Sequence, residues 1–496
     1  MREYAHETLV GKLALRMDRA DGAKVHGRVP LDSISVAAHV NMRAVESFAH
    51  QVFPWMMLII HVLTSETMDS SLGMPVGIQI ADTGRYAVRD AELQPERTTT
   101  REYSTHIREL TSWMVLERKA GFLSAVYFAV KKGARFARAI FDCWQANEVG
   151  EEPPAFKLPT LAMMKDDLRE FDGSQEMRFV TGDFRHWYYQ IPLGEGARKL
   201  FGIKMGDERF RLRVLPMGWR WSPIIGQSIA WACILMDAPE NLGVRLKDLN
   251  CAQGPPPKMY LYDGSRKVGI VYVYYDGVMV FAEEAYAKRW HEHLQGVESR
   301  SGAVWKELSE VARTCQFLGI DWTWNGRYVS LFITPARMQK WRESGEISMK
   351  REFTAVDHAR YFGRILRIME VYEIPWSAMD SVMAAMCELG RTILVPGDWH
   401  KPIDRTLFDR WTMNRRWVHQ IVEAKIIADD GVVSLRYKQS IRYERLIFVD
   451  ACTTGGGLVE TDAKGDPMHS TSWQHTSTSD LMYMAEMDAI RRGIQY

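Results

Sequence analysis

The chain has 496 residues, 46% apolar and 25% charged, with 63 Lys and Arg against 62 Asp and Glu, for a formal net charge of +1. At about 150 residues per domain this length suits about three domains. The ordinary globular composition excludes collagen-like, disordered and disulfide-scaffold chains, and the near-zero charge means that any surface for a polyanion must come from local clustering.

The N-terminal MREYAHETLV lacks the apolar core of a signal peptide. The longest apolar stretch, Phe53 to Leu63 with His61 inside it, is too short to cross a bilayer and is expected to be a buried helix. No membrane partner is expected. Six cysteines (Cys143, Cys233, Cys251, Cys315, Cys387 and Cys452) are scattered without a CxxC pair. That argues against a structural zinc site and a secreted disulfide framework, and for a reducing intracellular location, cytoplasmic or nuclear.

Residues 1–105 carry no readable motif, and 82–101 are polar. A helical pattern covers 106–120. Arg118, Lys119, Lys131, Lys132, Arg135 and Arg138 follow with no acid from 118 to 138. Such a cluster suits a polyanion, although a solvated basic face gives the same pattern. Gly150–Pro154 and Gly254–Pro257 are breaks, the second expected inside a surface insertion, and Pro396-Gly397 precedes a helical pattern over 405–427. Strand-like runs lie at 177–182, 210–215, 269–275, 278–282 and 446–449. Their irregular order among helices predicts α+β domains.

Three stretches carry chemistry. Arg178-Phe-Val-Thr-Gly-Asp183 ends an apolar strand on a carboxylate, which equally describes a turn or a helix cap. Gly269-Ile-Val-Tyr-Val-Tyr-Tyr-Asp276-Gly277 continues into a second apolar run. Asp276-Gly277 there is a strong hairpin signal, so Asp276 is either turn chemistry or a carboxylate shown at a hairpin tip. Two such carboxylates could bridge two Mg²⁺ ions. Tyr262-Asp263-Gly264 looks like a decoy, because Ser-Arg-Lys follows it. Between them stands Leu215-Pro-Met-Gly-Trp-Arg-Trp-Ser-Pro-Ile-Ile-Gly-Gln227.

That last stretch resembles motif B of reverse transcriptases, whose retroviral form reads LPQGWKGSPAIFQ. Leu215, Pro216, Gly218, Trp219, Ser222, Pro223, Ile225 and Gln227 match it identically. With that anchor Asp183 resembles the carboxylate of motif A, and Asp276 the first Asp of the YxDD motif C. Phe317-Leu318-Gly319 resembles the turn that grips the primer end. Upstream, Val130–Asp142 and Asn147 resemble the fingers element, whose spacing of Arg, four residues to Asp, then five to Asn is kept by Arg138, Asp142 and Asn147. The resemblance implies Asp183 and Asp276 as catalytic metal holders for two Mg²⁺ or Mn²⁺ ions. It implies Lys131, Lys132, Arg138, Tyr188, Met217 and Gln227 at the nucleotide, with Tyr188 excluding a 2′-hydroxyl; a core aromatic is the plain alternative for Tyr188. Two departures stand out. Gly277 replaces the second motif C Asp, and Trp187 stands where the family usually has a small residue, close to where the nucleotide should lie.

Arg360, Arg364 and Arg367 recur at i, i+4, i+7, opposite Phe362, Ile365, Leu366 and Met369. They suit a thumb helix along a nucleic-acid backbone, or a solvated face. Asp450, ending a strand, and Glu486, on a helical run, resemble the opening metal-binding acids of an RNase H domain. That domain is expected to be truncated and without hydrolytic activity.

The expected architecture is an α+β right-hand polymerase followed by a partial RNase H-like α/β domain. Its bounds are an N-terminal region over 1–105, fingers over 106–175 and palm over 176–290. The palm carries a fingers insertion at about 193–214 and a surface insertion at about 237–268. The end of the palm and primer grip cover 291–345, thumb and connection 346–440, and the RNase H-like part 441–496. The implied activity is RNA-directed DNA synthesis by a retrotransposable element, using an RNA template, a DNA or RNA primer and dNTPs. The alternative is an inactive RNA-binding scaffold or a decayed copy.

Overall fold

The structure is a computed structural model. It describes residues 33–53, 55–57, 59–60, 107–119, 125–130, 137–143, 147, 152–171, 173–205, 208–246, 254–347, 354–374, 419–427, 431–436, 445–451, 455–462 and 467–474. The chain divides into two compact units, residues 1–436 and 437–496.

In chain order the first unit holds helix α1 (Met42–Val52), strands β1 (Leu116–Glu117), β2 (Ala125–Val130) and β3 (Ala137–Asp142), helix α2 (Leu161–Leu168) and β4 (Met177–Phe184). Then come β5 (Gly202–Met205), β6 (Glu208–Leu212), α3 (Ser222–Leu235), β7 (Lys258–Asp263), β8 (Arg266–Tyr274), β9 (Gly277–Glu283) and α4 (Glu284–Gln295). The unit closes with β10 (Trp305–Leu308), β11 (Thr314–Phe317), β12 (Ile320–Trp324), β13 (Val329–Ile333), α5 (Pro335–Ile347), α6 (Ala355–Tyr372) and β14 (Val433–Leu435).

The central sheet is antiparallel, in the order β10-β4-β9-β8-β7. Its strands are apolar on both faces because both faces are covered. Val180, Val271, Val273, Val278 and Val280 face one core, with α3 and the N-terminal segment. Phe179, Ile270, Tyr272, Met279 and Phe281 alternate with them into a second core, with α2, β11–β13 and α6. The period-2 alternation of side chains thus feeds two cores from one strand. Lys258–Asp263, expected within a surface insertion, is the edge strand of this sheet: it pairs with β8 through the Gly264-Ser265 turn. Asp263 serves that turn by pairing with Arg266 at 3.4 Å.

Thirteen of the fourteen residues of α3 are buried, all but Pro223. Its polar groups are all used internally. Ser222 Oγ donates to Pro216 O at 2.6 Å, Ser228 Oγ to Ile224 O at 2.7 Å and Trp231 Nε1 to Pro256 O at 2.8 Å. Helix α6 starts on a capping box between Thr354 and Asp357.

The N-terminal region is part of this unit where it is described. Ile34, Val45, Ala49, Phe53, Met56, Ile59 and Ile60 lie in the same core as α3. Ala38 N donates to Tyr189 O (2.9 Å), Val40 N to Gln190 O (3.0 Å) and Asn41 N to Ser301 O (2.7 Å). Gly302, at φ 75°, has no room for a side chain because a Cβ would stand 2.1 Å from His39 O.

In the second unit, β15 (Arg445–Ala451), β16 (Gly455–Asp462) and β17 (Pro467–Gln474) form an antiparallel sheet. Asp450 lies on β15 opposite Gly457, and Glu486 is outside the described residues. Among the described residues no helix is long and apolar enough to cross a membrane.

Candidate active site

Strand β4 runs beside β9, with Asp183 directly across from Gly277. Phe184 N donates to Asp276 O at 2.8 Å. The two carboxylates expected from spacing therefore share one end of one antiparallel sheet. Asp183 is half-buried and Asp276 exposed.

The hairpin differs from expectation in register. Tyr274 pairs with Gly277, so the two turn residues are Tyr275 and Asp276, and Gly277 opens β9. The positive φ falls on Tyr275 (54°). Gly277 is outside the left-handed region, and a Cβ on it would meet Phe317 Cε2 at 3.2 Å. Gln227 holds this tip. Buried on α3, it donates from Nε2 to Val273 O (2.7 Å) and accepts at Oε1 from Tyr275 N (2.8 Å). Its amide thus bonds the hairpin backbone on both sides of the turn.

Tyr188, in the helical turn Trp187–Gln190, packs on Gly226 of α3. A Cβ there would lie 2.9 Å from Tyr188 Cε1. Burial raises the phenol's pKa well above its ordinary value, and Tyr275, Asp276 and Tyr274 push it further, so Tyr188 is a neutral ring within reach of the Asp276 charge. Trp187, expected near the nucleotide, turns into the core: its Nε1 donates to Gly226 O at 3.1 Å, and its ring stacks on Phe184 at 4.4 Å. Met217 is half-buried in the loop before α3.

Lys306, on β10, places its ammonium 2.6 Å from Asp183 Oδ2. Its pKa is raised, chiefly by the hydrogen bond to Asp183, with Glu307 and Asp276 adding to it. Sequence reasoning missed this residue, because nothing in a four-residue strand marks one lysine as aimed at a carboxylate. Among the described residues no group of three or more His, Cys, Asp or Glu could hold a metal ion. Two carboxylates supply hard oxygen donors of the kind Mg²⁺ and Mn²⁺ take, and the Lys306 ammonium stands among them as a cation. Two carboxylates alone are fewer donors than such an ion takes, so water or substrate would have to supply the rest.

Beside this tip, Leu318 (φ 51°) and Gly319 (φ 71°) form the β11–β12 turn, in which Phe317 pairs with Ile320. Arg367 Nη2 donates to Leu318 O at 3.2 Å, and Nη1 pairs with Glu370 at 2.7 Å. Arg364 donates to Lys340 O at 2.9 Å. The expected basic face of α6 is thus partly committed to protein contacts. A cleft of about 900 Å³ adjoins it, lined by Tyr274, Leu318, Arg337, Lys340, Arg364 and Arg367 among others.

Arg138 is on β3 opposite Ala129, and its side chain lies outside the described residues, as do Lys131 and Lys132. Asn147 docks this element on the motif B loop, donating to Gly218 O (2.8 Å) and accepting from Arg220 N (2.7 Å). The basic run is not all available. Arg118 pairs with Glu208 and Lys119 with Glu195, each at 2.7 Å. Glu195 also holds buried Arg211, and the Arg211 and Lys119 hydrogen bonds pull its pKa down to about 2. These acids come from distant sequence, which a window over 118–138 cannot show.

No family model matches the chain, and no curated protein matches it. Solved structures do. The foamy viral protease-reverse transcriptase dRH in complex with double-stranded DNA is 14% identical, over 91% of this chain and 72% of that one, at a TM-score of 0.45. The foamy viral protease-reverse transcriptase with dsDNA is 13% identical, over 91% and 85%, at 0.48. Its complex with an RNA/DNA hybrid is 13% identical, over 93% and 54%, also at 0.48.

Proposed function

We propose that this chain is an RNA-directed DNA polymerase of a retrotransposable element. The observation that carries the reading is the placement of Asp183 and Asp276 at one end of adjacent strands, with the Phe317–Gly319 turn beside them. In the proposed reaction a primer 3′-oxygen attacks the α-phosphorus of a dNTP, and the bond to pyrophosphate breaks. Mg²⁺ or Mn²⁺ held by Asp183 and Asp276 would favour the 3′-alkoxide and offset the charge of the leaving group. Tyr188 closes the sugar side against a 2′-hydroxyl. Gln227 keeps the Asp276 tip in place through two backbone bonds. Arg138, Lys131 and Lys132 supply positive charge for the triphosphate, and Met217 lies under the nucleotide. Leu318 and Gly319 steady the primer end, and the Arg337, Lys340, Arg364 and Arg367 cleft offers cations to a nucleic-acid backbone.

Gly277 and the Lys306–Asp183 pair favour a second reading, an inactive scaffold that binds RNA. Primer extension on poly(rA) with an oligo(dT) primer and Mg²⁺ or Mn²⁺ separates the two. Incorporation that Asp183→Asn abolishes supports the polymerase. Template binding without incorporation supports the scaffold.

A further inference from the structure

We propose that Lys306 is a built-in counter-cation of the Asp183–Asp276 site, competing at Asp183 with any divalent ion that binds there. This rests on the polymerase reading of those two carboxylates. The first observation is the ion pair itself, at 2.6 Å. The second is how Lys306 gets there. Trp305 is opposite Phe184 and Glu307 is opposite Asp183, so Lys306 is the extra residue of a β-bulge, with no residue across from it. A bulge re-aims one side chain out of the ordinary alternation of a strand.

The bulge is pinned on both sides. Before it, Gln190 brackets Val304, donating from Nε2 to its O (2.9 Å) and accepting at Oε1 from its N (2.7 Å). Trp305 stacks on Phe184 at 3.9 Å and donates from Nε1 to Leu294 O at 2.9 Å. After it, Ser309 exchanges bonds with Thr181: Ser309 N donates to Thr181 O, and Thr181 N to Ser309 Oγ, each at 2.8 Å. The sheet thus fixes the backbone on either side of one lysine and leaves its side chain over Asp183.

Chemically, an ammonium on Asp183 Oδ2 repels a divalent ion brought to the same carboxylate and competes with it for the oxygen lone pairs. With Lys306 in place, Asp183, Asp276, Glu307 and Lys306 sum to two negative charges against three without it, a weaker trap for a dication. Removing the ammonium should therefore raise metal affinity before any nucleotide is present.

The test is Mn²⁺ titration of the full chain, followed by the EPR signal of the free ion, without nucleotide or nucleic acid. Lys306→Met should bind Mn²⁺ about tenfold more tightly than wild type, and Lys306→Arg should stay within about twofold. Asp183→Asn should lose the gain in a double variant. Lys306→Gln replaces Met if the Met variant does not fold by circular dichroism. Equal affinity of wild type and the neutral variants, with binding still dependent on Asp183, overturns the counter-cation and leaves the metal site standing. Absence of Asp183-dependent binding in every variant overturns both. Tight binding in Lys306→Met with no primer extension by any variant supports the counter-cation and sinks the polymerase reading alone.

Discussion

Gly277→Asp would place a third carboxylate at the tip of the central sheet. Residue 277 is directly opposite Asp183, so its side chain shares the face of Asp183. Its backbone accepts a side chain, and the Cβ needs the Phe317 ring, 3.2 Å away, to yield by a few tenths of an ångström. A carboxylate about 5 Å from a dication contributes about 1.7 kcal/mol in a water-like dielectric, or somewhat over tenfold in affinity. Two costs oppose it without metal. Like charges facing each other across two strands cost up to about 1 kcal/mol, and crowding Phe317 costs about 1 kcal/mol more. The expected result is a lower melting temperature in EDTA, recovered by Mn²⁺, and faster primer extension at limiting Mn²⁺. A variant that extends primers more slowly than a measurable wild type would refute the account of Gly277 as a missing ligand.

Asp183→Asn and Asp276→Asn should each reduce dNTP incorporation to background, read by primer extension on an RNA template. Tyr188→Ala should raise ribonucleotide incorporation relative to dNTPs, and unchanged discrimination removes Tyr188 from the sugar gate. Gln227→Leu leaves the Tyr275 amide and the Val273 carbonyl without their partner. It should cost about 2–4 kcal/mol in denaturant unfolding. His293 is buried with Nε2 on Ile234 O at 2.9 Å, and burial, then Arg300, lowers its pKa to about 4. The unfolded chain, with His near pKa 6.5, binds the extra proton first, so stability should fall as pH drops from about 6.5 to 4, by about 3 kcal/mol. A His293→Gln variant whose stability keeps the same slope over that window would refute this.

The carboxylates were legible because each ends an apolar run, and the motif B match orders them. The exact turn was not. Asp-Gly is the commoner pair for positive φ, yet Gln227 bonds the Tyr275 amide from another helix and moves the turn one residue back. Residues 34–60 carry no motif, and what joins their described part to the site unit is burial against α3 and backbone bonds to Tyr189, Gln190 and Ser301. Trp187 looked obstructive in a linear motif, but the Phe184 stack and Gly226 carbonyl turn it inward. Lys306 depended on a bulge, and bulges leave no mark in short strands.

The bond from Asn41 N to Ser301 O, with Gly302 closed against His39, ties together chain positions about 260 apart (301 − 41). A ribosome adding about 5–20 residues per second needs roughly 13–52 s to cover that gap. Until α3 is made the apolar side of α1 emerges without that partner, the Ser301 bond waits longer still, and closing so long a loop slows folding. The early segment is therefore where a nascent chain would recruit a holdase chaperone, and slowing translation between residues 60 and 301 should lengthen that engagement.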